Sequence, residues 1–242
     1  IVIPSFKAPD LLSDLFTSFL ATNIYTDVEF VVVTQGSGPQ TTETINRFAS
    51  KLNIHQLDNG VNESFSVACN KGAKISSGDI VLFCNNDVIF RSDILSSLTK
   101  TFSDEAIGIV GAVQKSRDLH LGTETTWHVG IGMTWNSGAR SLRPVNIPFG
   151  VHSPLPKGLY QAWAVNGGFL AMKRLTFETL GGFSSDFDFG FEDVDLCLRC
   201  LRDLDLLVVT NTEIVVFHNE STTRSKVDPD LLDERNLRNT EA

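Results

Sequence analysis

The sequence has no long apolar run and no surplus of positive charge. No stretch reaches the roughly 20 consecutive apolar residues of a membrane-spanning helix, and no basic segment with a cleavable apolar core precedes the opening Ile-Val-Ile. Lysine and arginine number 20 against 29 aspartates and glutamates, which gives a formal net charge of −9. Because non-specific nucleic-acid binding requires a cationic surface, we expect no nucleic-acid partner. The missing membrane and export signals predict a cytoplasmic protein.

Cysteine is also scarce, with four residues in a chain of 242. This number is too small for a disulfide scaffold in a chain of this length. Cys197 and Cys200 have CxxC spacing, but no second pair accompanies them and they fall within a leucine-rich helical pattern. We therefore interpret them as structural thiols in preference to a redox or metal site.

The residues that are present indicate a folded globular protein, with 42% hydrophobic and 20% charged side chains. In residues 1–113, short β-rich runs alternate with amphipathic helical patterns. This alternation predicts an α/β fold, with a mostly parallel central sheet and helices on both faces. The predicted strands cover residues 1–3, 30–33, 54–57 and 80–84, and the predicted helices lie near residues 11–19, 41–50 and 64–75.

The regular alternation stops after residue 113. Residues 114–160 are rich in glycine, serine, proline and tryptophan, and we predict substrate-facing loops with a short hairpin across residues 127–135. The later predicted elements are a strand at 169–172, a helix lined by Val194, Leu198, Leu201 and Leu204, and strands at 206–209 and 214–217.

The first local signal of function is Asn85-Asn86-Asp87, which follows the apolar run of residues 80–84. In a parallel sheet, ligands bind beyond the carboxyl ends of the strands. A carboxylate at that place can ligate a hard divalent cation, which in turn neutralises a diphosphate. Asparagine and aspartate also form ordinary turns. Taken alone, the segment supports a cation site and a turn about equally.

The second signal is a group of carboxylates in the first turn of the predicted helix near residue 192. Acidic side chains there stabilise the helix dipole by about 0.3 to 1 kcal/mol each, which is a purely structural explanation. Adjacent Glu192 and Asp193 would point in different directions, one to bind a substrate hydroxyl and the other to take its proton. Asp195 and Arg199 have the spacing of a structural ion pair.

The third signal is His218, which follows the apolar run of residues 214–217 and is therefore predicted at a strand end. Histidine binds metals through a neutral ring nitrogen. A single histidine is nevertheless more often an ordinary polar surface residue, so by itself this position favours that interpretation over a ligand role.

The order of these segments along the chain resembles the family 2 glycosyltransferases, in particular their rhamnosyltransferase-like members, over nearly the whole sequence. The matching segments are Pro4-Ser5, Phe65-Ser66-Val67-Ala68-Cys69-Asn70-Lys71-Gly72, Asn85-Asn86-Asp87, Asn166-Gly167-Gly168-Phe169, Gly181-Gly182-Phe183, Phe191-Glu192-Asp193-Val194-Asp195-Leu196 and His218. The resemblance implies a GT-A (Rossmann-like) fold, a nucleotide-diphospho-sugar donor, a divalent Mn²⁺ or Mg²⁺ ion, and sugar transfer with inversion to a glycan or lipid-linked acceptor in polysaccharide biosynthesis.

The resemblance also implies roles for residues at the metal and the reacting atoms. Asp87, with Asn86 beside it, matches the carboxylate that reaches the metal and the diphosphate. His218 matches a histidine that completes the metal site. Asp193 matches the general base, and Glu192 matches its acceptor-binding neighbour.

Further positions are implied at the nucleotide sugar. Pro4, Ser5 and Asp58 lie where the family cradles the nucleoside, and Asn70 and Lys71 lie near the donor. We accordingly expect one domain over residues 1–242, with a nucleotide-sugar-binding half and an acceptor-binding, catalytic half that meet at residues 113 and 114.

The chain departs from the family pattern at two places. Asn85 stands where the metal motif has its first carboxylate, and Thr34-Gln35-Gly36-Ser37 stands where the family has a sequence close to Asp-Asn-Gly-Ser. These departures keep open a second hypothesis, a catalytically degenerate module that binds a nucleotide sugar or a glycan. A nicotinamide-dependent dehydrogenase is disfavoured, because no G-x-G-x-x-G follows the first strand.

The two ends of the chain carry further expectations. The abrupt apolar start at Ile1 suggests a fragment of a longer protein, whose other regions would supply any peripheral association with the inner face of a membrane. Arg224 and Lys226 lie in a charged tail. A solvated tail is the favoured interpretation, and a lid over the diphosphate is the alternative.

Overall fold

The computed structural model describes residues 1–24, 27–117, 124–138, 140–147, 157–187 and 190–218. The helices of this part are α1 (Pro9–Thr22), α2 (Pro39–Ala49), α3 (Phe65–Ile75), α4 (Ile94–Thr101), α5 (Arg174–Thr179) and α6 (Glu192–Leu204). Its strands are β1 (Val2–Ser5), β2 (Glu29–Thr34), β3 (Asn53–Asp58), β4 (Ile80–Cys84), β5 (Val88–Phe90), β6 (Ile107–Arg117), β7 (Glu124–His128), β8 (Ile131–Asn136), β9 (Ser141–Asn146), β10 (Leu159–Gln161), β11 (Phe169–Lys173) and β12 (Leu207–His218). None of the helices in these ranges is both long and apolar enough to cross a bilayer.

Local sequence explains where the first helices begin. Pro9 and Pro39 are the first residues of α1 and α2, a position at which the fixed φ of proline suits a helix and its missing N–H costs nothing. Ser64 Oγ accepts a hydrogen bond from the Val67 N–H at 3.3 Å and caps α3. Each of these helices therefore starts a few residues after a strand end, and the loops between them line one edge of the sheet.

The central sheet has the strand order β10-β12-β6-β11-β4-β1-β2-β3, with β5 beside β12 and β7 beside β6. Strands β1 to β4 are parallel to one another along this order. Strand β11 lies antiparallel between β4 and β6, and β12 lies parallel to β6. Strands β6 and β12 therefore run in the same direction as β1 to β4, so the predicted mostly parallel sheet is confirmed.

Apolar side chains cover both faces of the sheet because successive residues of a strand point to opposite sides. Ile3, Leu82 and Cys84 belong to a buried cluster with α1, α2 and α4. Val2 and Phe83, their neighbours in the chain, belong to a second cluster with α3, α5 and α6. The prediction of helices on both faces is thus confirmed. All four cysteines are buried thiols, in keeping with a structural role.

The region predicted as loops contains strands. Strand β6 continues to Arg117, and β7, β8 and β9 follow it. The predicted hairpin across residues 127–135 is wrong, because β7 pairs with β6 and β8 pairs with β9. Gly132 and Pro144, which suggested a loop, lie within β8 and β9. These two strands form a separate two-stranded sheet, where a proline is tolerated because no central ladder is broken.

The pairing of the last strand positions the end of the chain that the structure describes. The two predicted strands at residues 206–209 and 214–217 are one strand, β12, with an irregularity between Asn211 and Val215. Near its end, β12 pairs antiparallel with β5, so that His218 lies opposite Val88. Since Asp87 directly precedes Val88, this register brings the terminal histidine to the Asn-Asn-Asp segment.

Candidate active site

The predicted metal ligands Asp87 and His218 come together at the carboxyl end of β4. His218 Nε2 lies 3.3 Å from Asp87 Oδ1, and both side chains are buried. Asn85 Nδ2 lies 3.1 Å from the same ring nitrogen. Asp87 and His218, which are 131 positions apart in the chain, therefore lie side by side, as the resemblance implied.

This pair suits a divalent cation, although the protein ligand set is small. Within the described ranges, no three histidine, cysteine, aspartate or glutamate side chains come together. The carboxylate oxygen is nonetheless a ligand that both Mn²⁺ and Mg²⁺ accept, and the imidazole nitrogen suits a transition-metal ion such as Mn²⁺ better than Mg²⁺. In phosphate-transfer sites Mg²⁺ commonly uses one or two carboxylates, with substrate phosphates and water as the other ligands. The amide of Asn85 stands where a second carboxylate would add charge.

A glycine makes room for the histidine. A Cβ on Gly168 would lie 2.5 Å from His218 Cε1 and 2.8 Å from Asn166 Oδ1. Both distances are far below ordinary contact, so the position tolerates only glycine without movement of its neighbours. The second glycine of Asn166-Gly167-Gly168 therefore allows the imidazole to pack against the backbone of this turn.

The predicted base Asp193 lies on the other side of the same turn. Asp193 Oδ2 accepts a hydrogen bond from the Gly167 N–H at 2.7 Å, and Oδ1 accepts from the Val194 N–H at 2.8 Å. Phe191, just before α6, has a φ of 69°. This left-handed backbone is strained for a bulky aromatic residue, and such strain is concentrated at functional sites.

Glu192, the first residue of α6, is turned into the protein. Only 9% of its surface is exposed. Burial raises the pKa of the Cys69 thiol well above its ordinary value, and the negative charge of Glu192 adds to that shift. The charge of Glu192 thus acts on α3, which carries Cys69, while Asp193 is hydrogen-bonded to the turn at residues 166–168.

The turn at residues 166–168 connects the predicted base Asp193 with the strand end that carries the predicted metal ligand Asp87. The Gly167 N–H holds Asp193, and the Gly168 carbonyl oxygen accepts from the Asn85 N–H at 3.1 Å. This contact follows from the antiparallel pairing of β11 with β4, which sets Phe169 opposite Cys84. The start of β11 is thereby held at the point where β4 ends.

An ion pair braces α6 behind the site. Arg199 Nη2 lies 2.6 Å from Asp195 Oδ2, which confirms the predicted i, i+4 pair. The same guanidinium donates to the carbonyl oxygens of Leu180 and Gly182 at 2.7 and 2.9 Å. Arg199 thus ties the helix that carries Glu192 and Asp193 to the turn at Gly181-Gly182.

Two of the predicted nucleoside residues line the end of β1. Asn86 Nδ2 donates to Ser5 Oγ at 3.1 Å, and Ser37 Oγ donates to the Ser5 carbonyl oxygen at 2.8 Å. Pro4 precedes Ser5 in β1 and is half-buried. The ends of β1, β2 and β4 are therefore linked by hydrogen bonds through Ser5.

The departure from the family pattern after β2 has a structural explanation. Thr34 Oγ1 donates to Asp58 Oδ1 at 3.2 Å, and Gln35 Oε1 accepts from the Glu63 N–H at 2.8 Å. Hydrogen bonds from the Gly60 N–H and from Thr34 hold the pKa of Asp58 below its ordinary value. Thr34 and Gln35 thus order the loop that presents Asp58, which is exposed to solvent.

The two residues predicted near the donor differ in their surroundings. Asn70 Nδ2 donates to the Phe183 carbonyl oxygen at 2.8 Å, and Asn70 Oδ1 accepts from the Phe183 N–H at 3.0 Å. The Asn70 amide is therefore bound at both ends to the Gly181-Gly182-Phe183 turn. Lys71 forms a hydrogen-bonded ion pair with Glu63 on the surface.

Sequence reasoning gave no role to three polar residues beside the site. Gln114, His128 and Asn166 form hydrogen bonds in the interior, and one of them reaches His218. Gln114 directly follows an apolar run, as His218 does, and this placement was the available signal. Arg224 and Lys226, for which a lid was considered, lie outside the described residues.

The amino-acid sequence of this chain is similar to a known family and to curated proteins. The family model described as glycosyl transferase family 2 matches residues 1–157. The chain is 30% identical over 234 residues to the O-antigen biosynthesis protein RfbC of Myxococcus xanthus, an alignment that covers 93% of this chain and 17% of that protein. It is 27% identical over 237 residues to the uncharacterized protein y4gI of Sinorhizobium fredii, with coverage of 94% and 25%. The chain thus spans a quarter or less of the length of these curated relatives.

Solved structures share the fold. GalNAc-T7 with UDP, GalNAc and Mn²⁺ superimposes with a TM-score of 0.72 at 15% identity, covering 90% of this chain and 43% of that one. The mannosyltransferase PcManGT from Pyrobaculum calidifontis, in complex with GDP-Man and Mn²⁺, gives 0.65 at 18% identity, with coverage of 92% and 56%. Both have the GT-A glycosyltransferase fold, which this chain therefore also has. Together with the match over residues 1–157, this places the chain in glycosyltransferase family 2.

Proposed function

We propose that the protein transfers a sugar from a nucleotide-diphospho-sugar donor to a hydroxyl group of a glycan or lipid-linked acceptor, with inversion at the anomeric carbon. The observation that carries this proposal is the position of the turn at residues 166–168 between the Asp87 and His218 pair and the Asp193 carboxylate. Groups for the donor diphosphate and for the acceptor hydroxyl thus flank a single short segment.

Asp193 is the group that we assign to the proton of the acceptor. As the acceptor oxygen forms a bond to the anomeric carbon, the bond from that carbon to the diphosphate breaks, and the proton of the hydroxyl passes to the Asp193 carboxylate. The Gly167 N–H holds Oδ2 of this carboxylate in place. Glu192, the neighbouring acid, is assigned to binding of the acceptor.

Asp87 and His218 are the residues that would hold a divalent metal ion at the diphosphate. When bound, such an ion supplies a positive charge that stabilises the negative charge developing on the leaving diphosphate. The solved structures with UDP or GDP-Man and Mn²⁺ support both a nucleotide-sugar donor and Mn²⁺ as the ion. Mg²⁺, which prefers oxygen ligands, would be held chiefly by the Asp87 carboxylate.

The donor nucleotide is assigned to the ends of β1, β3 and β4. Ser5 and Asn86 face each other there, with Pro4 before them and the exposed carboxylate of Asp58 on the neighbouring strand end. Asn70 and Lys71 would border the sugar-diphosphate part. The similarity to the O-antigen biosynthesis protein RfbC supports a role in polysaccharide assembly. We assign this role to the cytoplasm or the inner face of a membrane.

The Asp193→Asn variant tests the proposal most directly. UDP-, dTDP- and GDP-sugars are first screened for binding by thermal shift with Mn²⁺ or Mg²⁺, and transfer is then measured with the donor that binds. Loss of a positioned base lowers proton-transfer catalysis by about 10² to 10⁴, while donor binding should be unchanged. The control is Asp203→Asn, an exposed acid near the end of the same helix. Transfer by Asp193→Asn at the wild-type rate, with donor bound, would contradict the assignment.

One observation favours a second candidate function, a module that binds a nucleotide sugar without transferring it. Asn85 replaces a carboxylate next to Asp87, which leaves the cation site with less negative charge. The same screen separates the two functions. Binding of a donor without turnover, across acceptors and with either ion, would establish the binding module.

A further inference from the structure

A chain of hydrogen-bonded polar side chains lies behind His218, on the side away from Asp87; Gln114 and His128 in it are buried and Asn166 is half-buried. His218 Nδ1 is 2.7 Å from Gln114 Oε1. Gln114 Nε2 is 3.4 Å from Asn166 Oδ1, and the Asn166 N–H donates to His128 Nε2 at 3.2 Å. Gln114 and His128 are 1% exposed, and His218 is 3% exposed. Most buried polar side chains in proteins are hydrogen-bonded, and those of this chain are.

The orientation of this chain is fixed by a backbone group. The Gly168 N–H can only donate, and it lies 2.8 Å from Asn166 Oδ1, so this end of the Asn166 amide is the acceptor oxygen. The Gln114 atom that faces the same oxygen must then be its NH₂ group. The carbonyl oxygen of Gln114 consequently faces His218 Nδ1.

The tautomer of His218 follows from the orientation of Gln114. A carbonyl oxygen accepts but does not donate, so the ring must carry its proton on Nδ1. In the neutral ring, Nε2 then carries the lone pair. The Asn85 amide, whose Nδ2 lies 3.1 Å from Nε2, donates to that lone pair in agreement with this assignment.

A histidine that binds a metal through Nε2 needs its proton on Nδ1. Imidazole binds a cation through an unprotonated ring nitrogen, and the hydrogen bond at the other nitrogen sets which one is free. His218 Nε2 is the nitrogen that faces Asp87 Oδ1 at 3.3 Å. With the opposite tautomer, an N–H would point at the cation position.

We infer that Gln114 is a positioning residue of the metal site: its side-chain oxygen holds His218 in the Nδ1-protonated form, and Asn166 in turn holds the Gln114 amide in the required orientation. The inference rests on the proposed function for the identity of the ligand, a divalent cation. The tautomer that it assigns exists in the metal-free protein and does not depend on that function.

The test compares two substitutions of one residue. In Gln114→Met the acceptor is lost while the volume is nearly kept, so His218 is no longer held in one tautomer. In Gln114→Glu an acceptor oxygen remains, so the Nδ1-protonated form is retained. Gln161→Met, on the exposed part of β10, serves as the matched control. Circular dichroism and thermal unfolding establish that each variant is folded.

Two readouts are measured on each protein. Long-range ¹H–¹⁵N NMR of the metal-free protein reports the tautomer of His218, which is assigned with His218→Asn. Titration with Mn²⁺ alone, followed by electron paramagnetic resonance of the free ion, reports cation affinity. We expect the Nδ1-protonated form in the wild type, in Gln114→Glu and in the control. Gln114→Met should show the other tautomer or a mixture and bind Mn²⁺ about 10- to 100-fold more weakly, the usual effect of removing such a partner.

The outcomes separate this inference from the proposed function. An Nε2-protonated His218 in the wild type, or an unchanged tautomer in Gln114→Met, would overturn the inference and leave the proposed glycosyl transfer standing. A changed tautomer with unchanged Mn²⁺ affinity would overturn it as well. The wild type could also show the Nδ1-protonated form and yet bind no Mn²⁺. That result would remove the metal ion from the proposed function and would overturn the positioning role of Gln114.

Discussion

The backbone N–H of Gly167 donates to Asp193 Oδ2 at 2.7 Å, and this contact sets the proposed base against the strand end that carries Asp87. The next residue, Gly168, accepts from the Asn85 N–H through its carbonyl oxygen. One turn therefore fixes the spacing between the proposed base and the proposed metal ligands. Changes on either side of that turn should have separable effects.

Replacing Asp87 by asparagine removes the carboxylate of the cation site while preserving its shape. Because ligand charge determines affinity for hard cations, we expect Mn²⁺ binding to weaken at least about tenfold, which corresponds to about 1.4 kcal/mol. Calorimetric titration with Mn²⁺ measures the change. Asp93→Asn, in the half-buried N-cap of α4, should bind like the wild type. Equal affinities for Asp87→Asn and the wild type would show that the cation binds elsewhere.

Adding a methyl group at Gly168 should displace His218. The new Cβ would lie 2.5 Å from His218 Cε1 and 2.8 Å from Asn166 Oδ1, so the imidazole or the turn must move. Overpacking of this kind costs about 1 to 3 kcal/mol in the free energy of unfolding, and Mn²⁺ affinity should fall with it. Urea denaturation and Mn²⁺ titration measure the two effects.

The matched control for Gly168 is Gly132→Ala. Its added Cβ would meet its nearest atoms at 3.6 and 4.0 Å, which are ordinary contacts. We expect wild-type Mn²⁺ affinity for this variant. If Gly168→Ala matched the control in both measurements, the close approach of Gly168 to His218 would not matter for the site.

His128 should make the protein less stable in mild acid. Burial lowers the pKa of His128 from 6.5 to about 4. Between these values the unfolded chain binds more protons than the folded one, so the free energy of unfolding falls as the pH decreases from about 6.5 to about 4, by roughly 3 kcal/mol. Stability from this group is fully present above pH 6.5. Urea denaturation across this range measures the slope.

Other groups titrate in the same range, so the variant His128→Gln isolates the contribution of His128. It lacks the titrating ring, and its stability should vary less with pH than that of the wild type. Identical slopes for the two proteins would contradict the assignment of the acid sensitivity to His128.

Neighbouring Asn70 and Lys71 should respond differently to substitution. Asn70→Leu leaves the backbone N–H and carbonyl of Phe183 without their partner, and we expect a loss of about 1 to 3 kcal/mol in the free energy of unfolding. Lys71→Met breaks a surface ion pair with Glu63, which is worth about 1 kcal/mol or less. Chemical denaturation measures both.

Donor binding distinguishes the two residues further. If Lys71 borders the donor, Lys71→Met should weaken nucleotide-sugar binding in the thermal-shift screen while stability stays near wild type. Unchanged binding would limit Lys71 to its ion pair with Glu63.

Local sequence patterns were sufficient for the parallel half of the sheet. Apolar runs such as residues 80–84 are short, buried and followed by polar residues, and successive side chains in a strand point to opposite faces, so strands, helices and strand ends can be located from neighbouring residues alone. This is why Asp87 and His218 could be placed at strand ends from neighbouring residues, whereas the role of Ser5 came from the resemblance to the family 2 glycosyltransferases.

The sequence by itself therefore determined the α/β class, the helices on both faces and the strand ends at which polar side chains collect, since these depend on periodicities of two and 3.6 residues. Only the tertiary structure decided that β11 lies between β4 and β6, that β12 pairs with β5, and that Gln114 and Asn166 stand behind His218. These pairings join residues that are 59 to 130 positions apart in the chain, and they depend on which surfaces fit together after the chain collapses. A local sequence pattern does not show which distant segments will be in contact. The hydrogen-bond chain behind His218 joins four separate segments, so it could be seen only in the folded structure.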